Sequence, residues 1–242
     1  MVAKPREHPA PKKVNPKVLD VMRFFAYKSA GHTSQRRTAK LAYISELLFL
    51  EKEQELLTGA QFISYDYGPW SFEIATAYDA VEAECEDMKV VSKETPHGNA
   101  RLLQPTRPET VVKLGNEGFG VLSNVFNLFG YVRTDLLVQF TKRASLYTKT
   151  EYGQTIDFLE YSTRRKDALD KLKRTPIGMK IELPSLGYLL KVRVEEVGYS
   201  AECEDLPGCI TQGDSLEELE ENMRQAILGY LECEDELRET TA

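Results

Sequence analysis

The densest group of side chains able to hold a metal or move a proton is acidic: Glu202, Glu204, Asp205 and Asp214. Metal-assisted hydrolysis needs several carboxylates converging on one pocket, where they clamp a pair of divalent ions about 4 Å apart. Alternation along the stretch puts Glu202 and Glu204 on one face of a strand. Asp214 stands just ahead of a helical pattern and is better used as a cap. The preceding strand offers Lys191 and Arg193 where a further carboxylate would be needed. Nuclease chemistry is therefore not expected. The rest of the chain supplies no substitute, with no GxGxxG, phosphate-binding P-loop or GxSxG, and no Ser-His-Asp or Cys-His spacing. Cys85, Cys203, Cys209 and Cys233 show no CxxC spacing, and His8, His32 and His97 are remote from the Cys203/Cys209 pair. Neither a zinc site nor a disulfide framework is expected, and no metal or cofactor. The chain reads as a non-enzyme whose chemistry is recognition.

A second cluster suits that role. Tyr65, Tyr67, Trp70 and Ser71 surround a Gly68-Pro69 turn, with Ser71 placed to cap the helix that follows. Trp70 at this loop-to-helix junction is an expected interface anchor. Tyr67 is expected to pack the turn against the helix bearing Leu41–Leu48.

The elements that position these residues follow from hydrophobic periodicity. Residues 1–17, proline-rich and basic, are expected to form a disordered arm, with Pro16 in the first turn of a helix running to about Ala30. Ser34 precedes a long helix, roughly Gln35 to Leu57, closed by Gly59. A helix from Phe72, a hairpin formed by Met88–Val91 and Arg101–Leu103, and helices near Glu117–Leu128 and Arg133–Ser145 follow. That order is compatible with a winged-helix-like arrangement. Tyr188–Glu195 alternates Leu190, Val192 and Val194 with Lys191, Arg193 and Glu195; a second strand begins at Tyr199 and ends at Pro207-Gly208, and Cys209–Gln212 resumes pairing. A helix then starts at Asp214 or Ser215, where Ser215 and Glu218 have capping-box spacing. Leu216, Leu219, Met223, Ala226, Ile227, Tyr230 and Leu231 form its apolar stripe, leaving Glu217, Glu220, Glu221, Arg224 and Gln225 for solvent. The product expected is a three-stranded sheet with one helix across it.

The run Tyr199-Ser-Ala-Glu-Cys-Glu-Asp-Leu-Pro-Gly-Cys-Ile-Thr-Gln-Gly-Asp-Ser-Leu-Glu-Glu resembles the signature of HicB-type antitoxins, in which a sheet segment ending in "LPGC-x-T-x-GD" feeds a Glu-rich helix. That resemblance covers roughly residues 178–237. It implies a β-β-β-α unit akin to a truncated ribonuclease-H sheet and a non-catalytic role in occluding a toxin. Farther upstream, Lys40-Leu-Ala-Tyr-Ile-Ser-Glu-Leu-Leu, Gly59, Phe62 and Tyr65-Asp-Tyr-Gly-Pro-Trp-Ser resemble the Panacea (SocA-like) domain over about residues 18–150, although Lys40-Leu41-Ala42-Tyr43 departs from the commoner double leucine. This second resemblance implies an antitoxin or a proteolysis adaptor.

Together these give an α+β chain: a disordered arm at 1–17, a mostly helical Panacea/SocA-like domain with a small β-hairpin at 18–159, a solvated charged connector at 160–176, and a HicB-like domain at 177–242. From Pro176 onward five basic residues face sixteen acidic ones, a net of −11, against +4 for the remainder and −7 overall. An acidic surface favours a basic protein partner over nucleic acid. The partner expected is a toxin protein, a basic RNA-cleaving one among the candidates, contacted through Tyr65, Tyr67, Trp70, Ser71, Glu202, Glu204, Asp205 and Asp214. A transcription regulator or proteolysis adaptor is the alternative. Homo-oligomers are open. DNA binding through Arg36-Arg37 and the basic arm is open but unsupported, because the ribbon-helix-helix or helix-turn-helix segment common after HicB-type sheets is not expected here. No stretch is apolar enough for a membrane or a signal peptide, so a soluble cytoplasmic protein is expected.

Overall fold

A computed structural model describes residues 14–31, 33–95, 98–107 and 112–241; most of the expected arm, residues 1–13, lies outside them. The chain is α+β and divides into two compact units, one of residues 1–134 and 151–156, the other of 135–150 and 157–242.

In the first unit, Asn15 caps α1 (Pro16–Lys28) by accepting from the Lys17 amide, and Val18, Val21, Met22, Phe24 and Phe25 turn inward. A reversal through Gly31 at φ +82° leads into the two-residue strand β1 (Thr33–Ser34). Ser34 then caps α2 (Gln35–Glu53) through the Arg37 amide. α2 is buried on nearly every side, so it is the central helix of its unit rather than a surface one. It ends at Gln54, which takes the left-handed conformation at φ +59°, and not at the expected Gly59. After α3 (Phe72–Ala83), β2 (Met88–Thr95) and β3 (Gly98–Pro105) form the expected hairpin, and β1 pairs with the other side of β3 to give the order β1-β3-β2. α4 (Gly115–Phe129) packs on α2. Phe25, Leu41, Ile44, Phe62, Tyr78, Leu103, Leu122 and Phe129 form the core between these elements.

The second unit contains α5 (Thr134–Arg143, from its second residue), the single turn α6 (Ser145–Thr148), α7 (Phe158–Leu172), and the strands β4 (Lys180–Ser185), β5 (Tyr188–Val194), β6 (Tyr199–Cys203) and β7 (Ile210–Gly213), followed by α8 (Leu216–Thr241). All four strands pair antiparallel in chain order. The sheet therefore has one strand more than expected. β4 was concealed by Pro184, which removes a ladder donor and is tolerated here because β4 is an edge strand. Leu186 at φ +46° and Gly187 at φ +83° make the two-residue turn between β4 and β5.

Two further expectations are corrected. The 160–176 segment is not a solvated connector: α7 packs on β4 and buries Tyr161, Arg165, Ala168 and Leu172. Nor do Glu220 and Arg224 face solvent, each being only 8 % exposed. Glu220 makes a paired ion bridge to Arg165, with N···O distances of 2.7 and 3.0 Å, which links α8 to α7. The apolar stripe of α8 is as expected at Leu219, Met223, Ile227 and Leu231, all buried.

Candidate functional site

The first unit presents the aromatic turn. Ile63 and Trp70 exchange backbone hydrogen bonds (2.8 and 3.0 Å), and the Gly68 amide donates to the Tyr65 carbonyl (2.9 Å), closing a tight turn whose last residue sits at φ +84°. Lys40, fully buried on α2, donates from Nζ to the Pro69 carbonyl at 2.7 Å and so fixes the turn to the central helix. Tyr65 stacks on Tyr152, ring centroids 5.4 Å apart. Tyr67 does not pack against α2 through its core as expected; it is 57 % exposed, with the Arg36 guanidinium 4.1 Å over its ring. Trp70 is half-buried. Ser71 precedes α3 but makes no capping bond, and its hydroxyl is buried without a partner. It offers nothing to a partner protein.

Beside the turn lies a groove of about 620 Å³. Arg36, Lys40, Lys93 and Arg101 contribute to its wall together with Tyr67 and Trp70, and among the described residues no aspartate or glutamate does. Arg101 is tied to Asp79 (2.8 Å) and Glu82 (2.7 Å), whereas Arg36 and Lys93 form no ion pair among the described residues. Sequence reading found the aromatic half of this groove and missed Lys40, Lys93 and Arg101, because cations on separate elements carry no local pattern. Arg36 and Arg37 do not act together. Arg37 is buried and donates to the carbonyls of Phe129, Gly130 and Val132, the end of α4 and the turn after it. It is thus a structural cap and is removed from any nucleic-acid surface.

In the second unit the four carboxylates are not brought to one point. Glu202, on β6, stands opposite Lys191 and Ile210. Glu204 is exposed and pairs with Lys191 Nζ at 3.2 Å. Asp205 is half-buried and accepts from the Ser145 amide (3.2 Å), the Ser145 hydroxyl and the Leu189 amide (2.9 Å), so its carboxylate is held within the unit. Asp214 is exposed, and its amide donates to Glu218 Oε2 (2.9 Å) while Ser215 Oγ accepts from the Glu218 amide (3.1 Å). Ser215, not Asp214, is the cap. Among the described residues no group of three or more His, Cys, Asp or Glu is placed to hold a metal ion. Between β6 and β7, Leu206 is buried while Pro207 and Gly208 are exposed, and the Cys203 amide donates to the Cys209 carbonyl (2.9 Å) across the base of the loop. Burial, reinforced by the neighbouring Asp205 charge, pushes the Cys203 thiol up to about 12, so it stays protonated at neutral pH and is a poor nucleophile. Asp214, Glu217 and Glu218 are exposed around the turn from β7 into α8, and Glu204 is exposed at the opposite end of the β6–β7 hairpin.

No family model, no curated protein and no solved structure matches the chain. Among the described residues no helix is long and apolar enough to cross a membrane.

Proposed function

We propose that the chain is an antitoxin-type protein that binds a toxin and neutralises it by steric cover, without catalysis, in the cytoplasm. The observation that carries the reading is the acidic corner where β7 runs into α8, which displays Asp214, Glu217 and Glu218 to solvent, with Glu204 exposed at the other end of the β6–β7 hairpin. This corner is the segment whose sequence resembles HicB-type antitoxins, and the resemblance of the first unit to the Panacea domain supports the same reading. Glu204, Asp214 and their neighbours suit a basic partner face. The exposed Tyr67 and half-buried Trp70 give the first unit anchors of the kind that dominate interfaces.

The test is co-expression with the adjacent reading frame, scored by growth rescue and then by binding kinetics. Complementary surface charge acts mainly on association and is screened beyond about 8–10 Å at physiological salt. Raising salt should therefore slow association more than it speeds dissociation. Absence of rescue, combined with sequence-specific DNA binding by the purified chain, would replace this reading with a transcription regulator.

A further inference from the structure

We propose that the basic groove of the first unit is a strand-addition slot for an extended acidic peptide of a partner protein. The geometry begins with β3. Its whole length pairs with β2 on one side. On the other side β1 reaches only Leu102 and Leu103, because the chain turns into α2 directly after Ser34. Among the described residues no strand pairs with Gly98–Arg101 on that side. In an antiparallel ladder the backbone groups of alternate residues point to opposite neighbours, so this stretch directs unpaired N–H and C=O groups away from β2. The same residues, Gly98, Asn99, Ala100 and Arg101, line the groove, and Ser34 and Gln35 lie at the end where β1 stops. An incoming peptide would extend the line of β1 for about four residues, roughly 13 Å at strand spacing. Open edges are used in this way when main-chain bonds supply affinity and flanking pockets read alternate side chains.

Charge selects the occupant. The groove wall carries four cations and no carboxylate, and Arg36 and Lys93 lack an ion-pair partner among the described residues. An acidic side chain beside Arg36 can take its paired donors, and Trp70 offers an apolar surface to a neighbouring side chain. Residues 1–13 of the chain itself have the wrong sign, with Lys4, Arg6, Lys12 and Lys13 against Glu7. A single-stranded nucleic acid fits less well: it would make no use of a strand edge, and the Tyr67 face on which a base would stack is covered by Arg36 at 4.1 Å. The slot is separate from the acidic surface of the second unit and stands whether or not the partner of that surface is a toxin.

The experiment uses the full chain and a fluorescein-labelled peptide pool, roughly seven residues long, with Asp or Glu fixed at alternate positions. Three controls run beside it: the same pool with Lys at the fixed positions, the acidic pool with N-methylated backbone, and an oligothymidylate of equal charge. The acidic pool should bind and slow amide exchange at Asn99–Arg101. Because Arg36 and Lys93 are exposed, the Arg36→Glu/Lys93→Glu variant should keep its melting temperature while losing about tenfold or more in affinity. Equal binding of the N-methylated pool would overturn strand addition, and tighter binding of the oligothymidylate would assign the groove to nucleic acid. Failure of the acidic pool to bind overturns the slot, as does protection of Asn99–Arg101 that appears with protein concentration alone, which would assign the edge to a second copy of the chain.

Discussion

Replacing Glu220 by glutamine tests the buried ion pair that links α7 to α8. Arg165 gives the Glu220 carboxylate two donors, at 2.7 and 3.0 Å, and a third N–H···O contact of 2.6 Å runs to the Pro184 carbonyl of the edge strand. The two side chains retain 9 % and 10 % of their exposure. Glutamine keeps the shape and one acceptor but leaves a guanidinium charge buried against a neutral amide. Breaking a buried pair from one side costs roughly 3–5 kcal/mol, since the remaining charge is uncompensated. Coulomb's law gives the same order, about 4 kcal/mol for unit charges 4 Å apart at an effective dielectric constant of 20. For a unit of about a hundred residues, 1 kcal/mol moves the melting temperature by about 4–8 °C, so a fall of about 12 °C or more is expected.

The assay is thermal unfolding of the full chain followed by amide exchange at β5, which reports the second unit specifically. Glu217→Gln, at an exposed position on the same helix, should stay within about 0.5 kcal/mol. The double variant Arg165→Met/Glu220→Leu should recover most of the loss, because it removes both desolvated charges together. Equal melting temperatures for Glu220→Gln and Glu217→Gln would refute the reasoning and return Glu220 to the solvent face.

Three further outcomes are expected. Gly213→Ala should destabilise the second unit by about 1–3 kcal/mol in urea titrations, since a methyl there would meet the backbone nitrogen of Leu219 at 2.4 Å. Ser71→Ala should change stability by less than about 0.5 kcal/mol, because the buried hydroxyl has no partner; a loss of about 1 kcal/mol, the usual cost of deleting a helix cap, would show that it caps α3 after all. Burial pushes the Glu46 carboxyl above its ordinary range, against the opposing hydrogen bonds from Thr58, so the folded chain holds a proton that the unfolded chain has already released. The wild-type stability, measured relative to Glu46→Gln, should then be greatest at pH values below the ordinary carboxylate range and fall as pH rises through the raised value; a relative stability that rises with pH would reverse the sign.

The elements most legible in the sequence are those whose determinants lie within a few residues. Ser215 accepts from the Glu218 amide and Glu218 in turn accepts from the Asp214 amide, which together specify the start of α8, and the alternation of Leu190 and Val192 with Lys191 and Arg193 specifies β5. Ser71 shows the limit of that logic: its spacing satisfies the cap rule, yet the side chain is enclosed and makes no such bond. Glu220 fails for a different reason. A helical projection sorts residues by one neighbour, the sheet, whereas Glu220 has its partner on α7, and Arg165 is 55 positions away in the chain. No local pattern joins those two residues. β4 was masked by a proline that only its place at the sheet edge makes tolerable.

The aromatic turn depends on the same kind of long-range polar contact. α2 buries Arg37, Lys40 and Glu46, and each reaches backbone atoms of a different later segment. Arg37 holds the carbonyls after α4, Lys40 holds Pro69, and Glu46 accepts from the Thr58 amide at 2.9 Å. A buried charge without such bonds would cost several kcal/mol, so each of these contacts restricts where its segment can lie. Two of them, at Thr58 and Pro69, bracket the loop that carries Tyr65 and Tyr67. The loop has little regular structure of its own: bridges join Ile63 to Trp70 and to Thr155, and one turn closes at Gly68. Beside its backbone pairing with residues 153–156, the loop is held by Lys40 and Glu46, residues that a count of exposed charge would have set on the surface. A hydrophobic pattern says where a helix has its core, while the polar residues buried within it decide which loops are held against that core. In this unit the loop so held forms one wall of the groove.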